Sequence, residues 1–216
     1  MKNDSDFKTN LLLGLFVAAL IAGNLIGTKI TKFWIIEVSV GIFAYPLTFL
    51  ITDAVQEVYG KEKANQFVWV GFICLLFILM VTAFAVWLPF APRSFVKENY
   101  TQVFGSTLRI FVASIIAFMA SQFHDVWAFN FWKQQTKGRF LWLRNNASTI
   151  VSQFIDTVMF MFIAFYGLTP KHNAAYMFTL IIPYYLLKIV IALADTAPVY
   201  LIVWWLRGSG KDTGKR

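Results

Sequence analysis

Six apolar runs, each near the length that crosses a lipid bilayer, take up most of this 216-residue chain. A bilayer core needs about 20 mostly apolar residues in a helix. That length places predicted spans at approximately 11–31, 35–57, 66–88, 108–132, 148–168 and 176–206. Turn chemistry separates them: Tyr59-Gly60-Lys61, the Pro89 and Pro92 pair, the polar KQQTKGR run, and Gly167 followed by Pro170. The last run is long enough to be tilted, or broken near Pro183 or Pro198, where a missing backbone donor must be compensated. The expected fold class is an all-α integral membrane protein, a single domain of six transmembrane helices over residues 1–216.

Composition agrees and excludes several functions. Hydrophobic residues make up 58% of the chain and charged residues 14%, whereas soluble domains carry about 25% charged residues. Net charge is +8, but the basic residues gather in short breaks between apolar runs, which argues against a nucleic-acid-binding stripe. They read instead as topology signals, because cytoplasmic loops carry the excess of Lys and Arg. With the N-terminus inside, twelve of the 19 basic residues fall on the inner side; five (Lys29, Lys32, Arg93, Lys97 and Lys171) fall on the outer side. Both termini are therefore expected in the cytoplasm. Trp34, Trp87, Trp132, Trp142, Trp204 and Trp205 lie near the predicted span ends, where aromatic rings sit among headgroups. The first run has no clear small-residue cleavage site leading into a polar domain, so it reads as a span rather than a signal peptide.

Polar residues inside these runs carry the functional signal. Asn24, Asp53, Glu57, Arg109, Gln122, Asp125, Gln153, Asp156, Lys188 and Asp195 all lie within predicted spans. A charge at the centre of a membrane helix costs about 2.5–3.5 kcal/mol on insertion scales, so four unpaired aspartates would cost about 10 kcal/mol. They must pair, take up protons, or line a wet cavity. Ser, Gln and Asn often serve only as glue between helices, and Asp195, seven residues after Lys188 on the same face, can simply neutralise it. Glue rarely requires several carboxylates, so a buried polar cavity is the expectation. On this topology the four aspartates all fall in the cytoplasmic half.

Two segments nearly repeat: SQFHDVWAF from Ser121 and SQFIDTVMF from Ser152. Within each, Ser precedes Asp by four residues and Gln precedes it by three, so each trio shares one helical face. They lie on neighbouring antiparallel helices, and two matching polar faces can meet. Thr48, Thr52, Asp53 and Glu57 on the second span, Lys188 and Asp195 on the sixth, and Asn24 on the first aim at the same interior. Arg144 and Asn145, just before the fifth span, either cap the cytoplasmic mouth of this cavity or belong to a capped helix with Ser148 as N-cap. Phe123, Trp127, Phe129 and Phe154 stand near the repeated motifs as candidate stacking surfaces.

No catalytic or cofactor chemistry is visible. Cys74 is the single cysteine, His124 and His172 are isolated, and H-E-x-x-H, a P-loop and G-x-S-x-G are all missing. Neither a metal site, a cofactor nor an enzyme is expected.

The residues also resemble a known family. YPLTFLITDAVQEVYGKEKA (Tyr45 to Ala64), ASQFHDVWAFNFWK, LWLRNNASTIVSQFIDT and KIVIALADTAP follow in the order seen in the queuosine precursor transporter family, also called the vitamin uptake transporter family. Tyr45 stands where that family usually has Phe. The resemblance covers nearly the whole chain. It implies a six-helix inner-membrane importer of 7-deazaguanine compounds (7-cyano- or 7-aminomethyl-7-deazaguanine, or queuine) salvaged for tRNA modification. It also implies similarity to the substrate-binding components of energy-coupling-factor importers, which need an ATPase module. A coupling ion, a homo-oligomer and a non-transporting scaffold remain as alternatives. A guanine-like edge offers two parallel donors that one carboxylate accepts together, so Asp125 or Asp156 is the expected acceptor.

Overall fold

The computed structural model describes residues 2–33 and 36–208. Trp34 and the basic tail from 209 onward, both used in the topology argument, lie outside the described residues. Helix α1 (Lys2–Ile26) leads into a hairpin of β1 (Ile30–Phe33) and β2 (Ile36–Ser39) and a 3-10 turn (Val40–Phe43). Then follow α2 (Pro46–Tyr59), α3 (Lys61–Trp87), α4 (Lys97–Gln135), α5 (Leu141–Phe165), α6 (Ala174–Ala194) and α7 (Thr196–Arg207). Among the described residues five stretches are long and apolar enough to cross a membrane: Ser5–Ile26, Lys61–Trp87, Asn99–Gln135, Leu141–Phe165 and Ala174–Arg207.

The run at 35–57 departs from the expected continuous span. Its first part is the second strand of the hairpin and the 3-10 turn, and Pro46 then opens a helix of 14 residues. At 1.5 Å per residue that helix is about 21 Å long, short of a bilayer core of about 30 Å. The turn lies hard against α1. A Cβ added at Gly41 would stand 2.6 Å from the carbonyl oxygen of Gly23, so only glycine permits this approach.

The last run is unbroken through Pro183 and breaks at Asp195, close to Pro198. Asp195 closes α6, and Pro198, which has no N–H to offer, sits in the first turn of α7. Asn146 on α5 donates to Thr196 Oγ1 at 2.8 Å across the break.

Packing follows from two kinds of face. Phe16 on α1, Phe67 on α3 and Phe118 on α4 meet at centroid distances of 5.9 and 6.2 Å around Gly71, beside Ile51, Val55 and Val203. Along α3, Trp69, Ile73, Phe77, Met80, Phe84 and Trp87 remain exposed, as lipid-facing side chains do. The buried set is unusually polar for a helical interior: Asp53, Gln56, Ser121, Gln122, Asp125, Arg144, Asn145, Ser148, Ser152, Gln153, Asp156 and Lys188 are all below one-tenth exposed. Helices α4 and α5 form the most extensive helix pair, and their seam carries much of that polarity.

Candidate functional site

The repeated motifs explain the α4–α5 seam. The helices run antiparallel, so the motifs pair head to tail: Ser121 of the first donates to Asp156 of the second at 3.3 Å, and Ser152 of the second faces Asp125 of the first. Ser152 Oγ also meets His124 Nδ1 at 2.9 Å. Antiparallel pairing puts the two aspartates at different depths. Four residues along α4 separate Ser121 from Asp125, about 6 Å of rise. The sequence reading placed all four intramembrane aspartates in one half. In the structure α5 starts at Leu141, seven residues earlier than predicted, which puts Asp156 past the middle of that helix.

The polar residues accordingly form three layers rather than one central site. In the first, the Asp156 carboxylate accepts from Tyr45 Oη at 2.8 Å and from Lys188 Nζ at 2.6 Å, as well as from Ser121. The Lys188 ammonium also lies 5.3 Å from the ring centroids of both Tyr45 and Tyr184, within reach of a cation–π attraction. Lys188 therefore pairs with Asp156 and not with Asp195, because the break at Asp195 ends the helical spacing that suggested otherwise.

In the second layer Asp53 and Asp125 face each other at hydrogen-bonding separation, with Thr149 donating to Asp53 Oδ2 at 3.2 Å. Gln122 links this layer upward. It accepts from Thr52 at 3.2 Å and donates to Thr48 Oγ1 at 3.3 Å. Gln153 and Asn145, both nearly fully buried on α5, each keep a side-chain oxygen without a hydrogen-bond donor.

The third layer is ionic. Glu57 at the end of α2 pairs with Arg144 of α5, with Lys133 of α4 at 3.2 Å and with Arg207 of α7 at 2.8 Å. Arg144, only 1% exposed, also donates to the carbonyls of Gly138 and Arg139 at 2.9 and 3.0 Å. It fastens the α4–α5 turn to α2. Arg109 stands apart from all three layers: it donates to Ile163 and Tyr166 carbonyls at 3.0 and 2.8 Å, capping the C-terminus of α5.

A cavity reaches the first layer from the side of the hairpin. Its inner part, about 50 Å³, is lined by Asn24, Tyr45, Ser114, Asp156, Tyr184 and Lys188. An outer part of about 270 Å³ shares the Ser39, Phe160 and Tyr184 walls and is bordered by Glu37 and His172. Asn24 and Asp156 were named from sequence as interior polar residues, and Lys188 with them; Tyr45, Ser114, Phe160 and Tyr184 were not. The aromatic residues foreseen as stacking surfaces lie elsewhere: Phe123 packs on Trp69, Phe129 is in the core, and Trp127 and Phe154 are exposed. Phe160 and Tyr184 are aromatic side chains that line both parts of the cavity. The signal for Tyr45 was its departure from the usual Phe.

A family model described as "Putative vitamin uptake transporter" matches residues 39–202, which hold the first two layers and all of the third but Arg207. The chain belongs to this vitamin uptake transporter family. It is a multi-pass membrane transporter of a small molecule and not an enzyme. Among curated relatives, "Probable queuosine precursor transporter" of Bacillus subtilis (strain 168) is 31% identical over 87% of this chain and 82% of its own length. "Queuosine precursor transporter" of Escherichia coli (strain K12) is 28% identical over 74% of this chain and 70% of its own. "Probable queuosine precursor transporter" of Haemophilus influenzae is 27% identical over 76% and 67%. No solved structure matches this family member significantly.

Proposed function

We propose that this transporter imports queuosine precursors, the 7-deazaguanine bases, across the inner membrane, with both termini in the cytoplasm. The observation that carries this reading is the cavity that ends on Asp156 and Lys188. A guanine-like edge presents N1–H and an amino group side by side, and the Asp156 carboxylate accepts both. Lys188 or the Asn24 amide serves the carbonyl oxygen, and Phe160 with Tyr184 supplies a flat apolar wall. Stacking of bases on aromatic rings contributes about 1–3 kcal/mol in soluble proteins. Asp156, rather than Asp125, is the acceptor, because it lines the cavity.

Topology supports the direction of transport. If the basic loops mark the cytoplasm, the cavity opens outward and the Glu57 layer closes the inner end, a state ready to receive substrate from outside. The same layout argues for transport by this chain without an ATPase module, since the polar path crosses the helical bundle itself.

The test is the queuosine content of tRNA in a bacterial strain that neither makes nor imports the precursor, expressing this protein and supplied with 7-cyano-7-deazaguanine. Restored queuosine, lost in Asp156→Asn, is the expected result. No restoration by well-expressed wild-type protein overturns the substrate assignment, and uptake that appears in liposomes only with an added ATPase module overturns autonomous transport.

A further inference from the structure

The Asp53–Asp125 pair is not explained by substrate binding. Both side chains are buried, at 1% and 0% exposure, and neither borders the cavity. Among the described residues, both oxygens of Asp125 and Oδ1 of Asp53 have no assigned hydrogen-bond donor. Ser148, Ser152 and Thr149 stand around Asp125, but their hydrogens have other acceptors: Ser148 Oγ donates to the Asn145 carbonyl at 3.2 Å, Ser152 Oγ donates to the Ser148 carbonyl at 2.9 Å, and Thr149 donates to Asp53 Oδ2.

The titratable groups facing the pair do not compensate it either. Asp195 faces Asp53 from the α6–α7 break, and His124 of α4 is engaged with Ser152 Oγ. Among the described residues no Lys or Arg forms an ion pair with either carboxyl: Lys188 is held by Asp156, while Lys133, Arg144 and Arg207 are held by Glu57. Two ionised carboxylates in contact, without a cation, would be strongly unfavourable in this setting. A hydrogen shared between them satisfies both, and it needs no cavity for a hydrated metal ion.

The pair is also wired to the cavity. Thr52, next to Asp53, donates to Gln122; Gln122 donates to Thr48; Thr48 donates to the Tyr45 carbonyl at 2.7 Å; and the Tyr45 hydroxyl donates to Asp156. On α4 the same two layers are one helical turn apart, at Ser121 and Asp125. Movement of Tyr45 or Asp156 around a ligand therefore reaches both sides of the carboxyl pair.

We propose that Asp53 and Asp125 form a proton-binding pair that couples substrate import to an inward proton gradient. The coupling rests on the transport reading above, whereas the bound proton does not. The proton crosses with the substrate: it is taken from the outer solution, held between the two carboxyls, and released to the inner side, so charge and atoms balance without another reactant.

The test uses purified protein in lipid. Infrared spectroscopy of the wild type at neutral pH is expected to show a protonated-carboxyl band that disappears in Asp53→Asn and in Asp125→Asn and persists in Asp195→Asn. In proteoliposomes with 7-cyano-7-deazaguanine, an imposed inward gradient of about one pH unit is expected to raise wild-type accumulation about tenfold for one proton per substrate. Asp125→Asn is expected to keep substrate exchange while losing that stimulation. Absence of the band from the wild type overturns the proton site. Exchange-competent wild type that ignores the proton gradient, or follows a sodium gradient, overturns the coupling. A band with no exchange refutes the substrate and leaves the proton site supported.

Discussion

Asp156 holds three donors at once, and burial makes each of them consequential. Removing one partner of a buried ion pair costs about 3–5 kcal/mol, because the other charge is left uncompensated. Asp156→Asn or Lys188→Met alone is therefore expected to lower thermal stability markedly, and the double variant to regain much of it while still failing to bind substrate. Melting and binding assays on the three variants decide this; recovery of binding in the double variant would mean the pair is only structural. Tyr45→Phe keeps the ring beside Lys188 and removes one donor. It is expected to weaken substrate binding about two- to tenfold, as loss of one hydrogen bond does, and unchanged affinity would exclude the hydroxyl from the site. At this scale the sequence named Asn24, Asp156 and Lys188 through their cost in a membrane. Their partners were not legible: the seven-residue spacing to Asp195 offered Lys188 a neighbour that a helix break then takes away.

Elements decide which polar groups meet. The head-to-tail pairing of the SQFxD motifs needs the α4–α5 register, and that register follows from the short turn at Thr136 to Phe140, where Lys137, Gly138 and Phe140 have positive φ. Matching motifs on antiparallel neighbours were readable from sequence. Their stagger was not, since it depends on where α5 begins. The hairpin was equally hidden, because a hydropathy window averages over Ile30–Ser39 and cannot register strand pairing such as Ile30 with Ser39. Gly41 fixes this hairpin against α1. Gly41→Ala is expected to shift the 3-10 turn and reduce substrate affinity at least severalfold without unfolding the bundle; affinity equal to wild type would show that the turn does not shape the cavity.

At the scale of the molecule, the cavity lies at one end of the bundle and the Glu57 layer at the other; in the proposed orientation this is a transporter closed on its inner side. Four helices (α2, α4, α5 and α7) are tied at Glu57, so release on that side requires these pairs to separate. In a Cys74→Ser background, a cysteine at Ser39 is expected to react with an impermeant thiol reagent added outside, and one at Asn145 to stay protected until Glu57→Gln loosens the layer. Labelling of both positions in the parent protein would contradict the closed inner end. Six apolar runs with inward-facing carboxylates were enough to anticipate a membrane protein with a buried polar interior, and the transporter reading came from the four motifs that resemble the family. That the carboxylates are sorted into an Asp156 layer at the cavity, a carboxyl-pair layer and an ionic layer depends on helix offsets, which no single segment encodes. The most direct test of that sorting is the equilibrium dissociation constant of 7-cyano-7-deazaguanine for purified Asp156→Asn and Asp125→Asn proteins beside the wild type. Binding weakened at least about tenfold by Asp156→Asn, the loss of a strong carboxylate contact, and nearly unchanged by Asp125→Asn is the predicted result; loss of binding in Asp125→Asn with wild-type affinity in Asp156→Asn would contradict it.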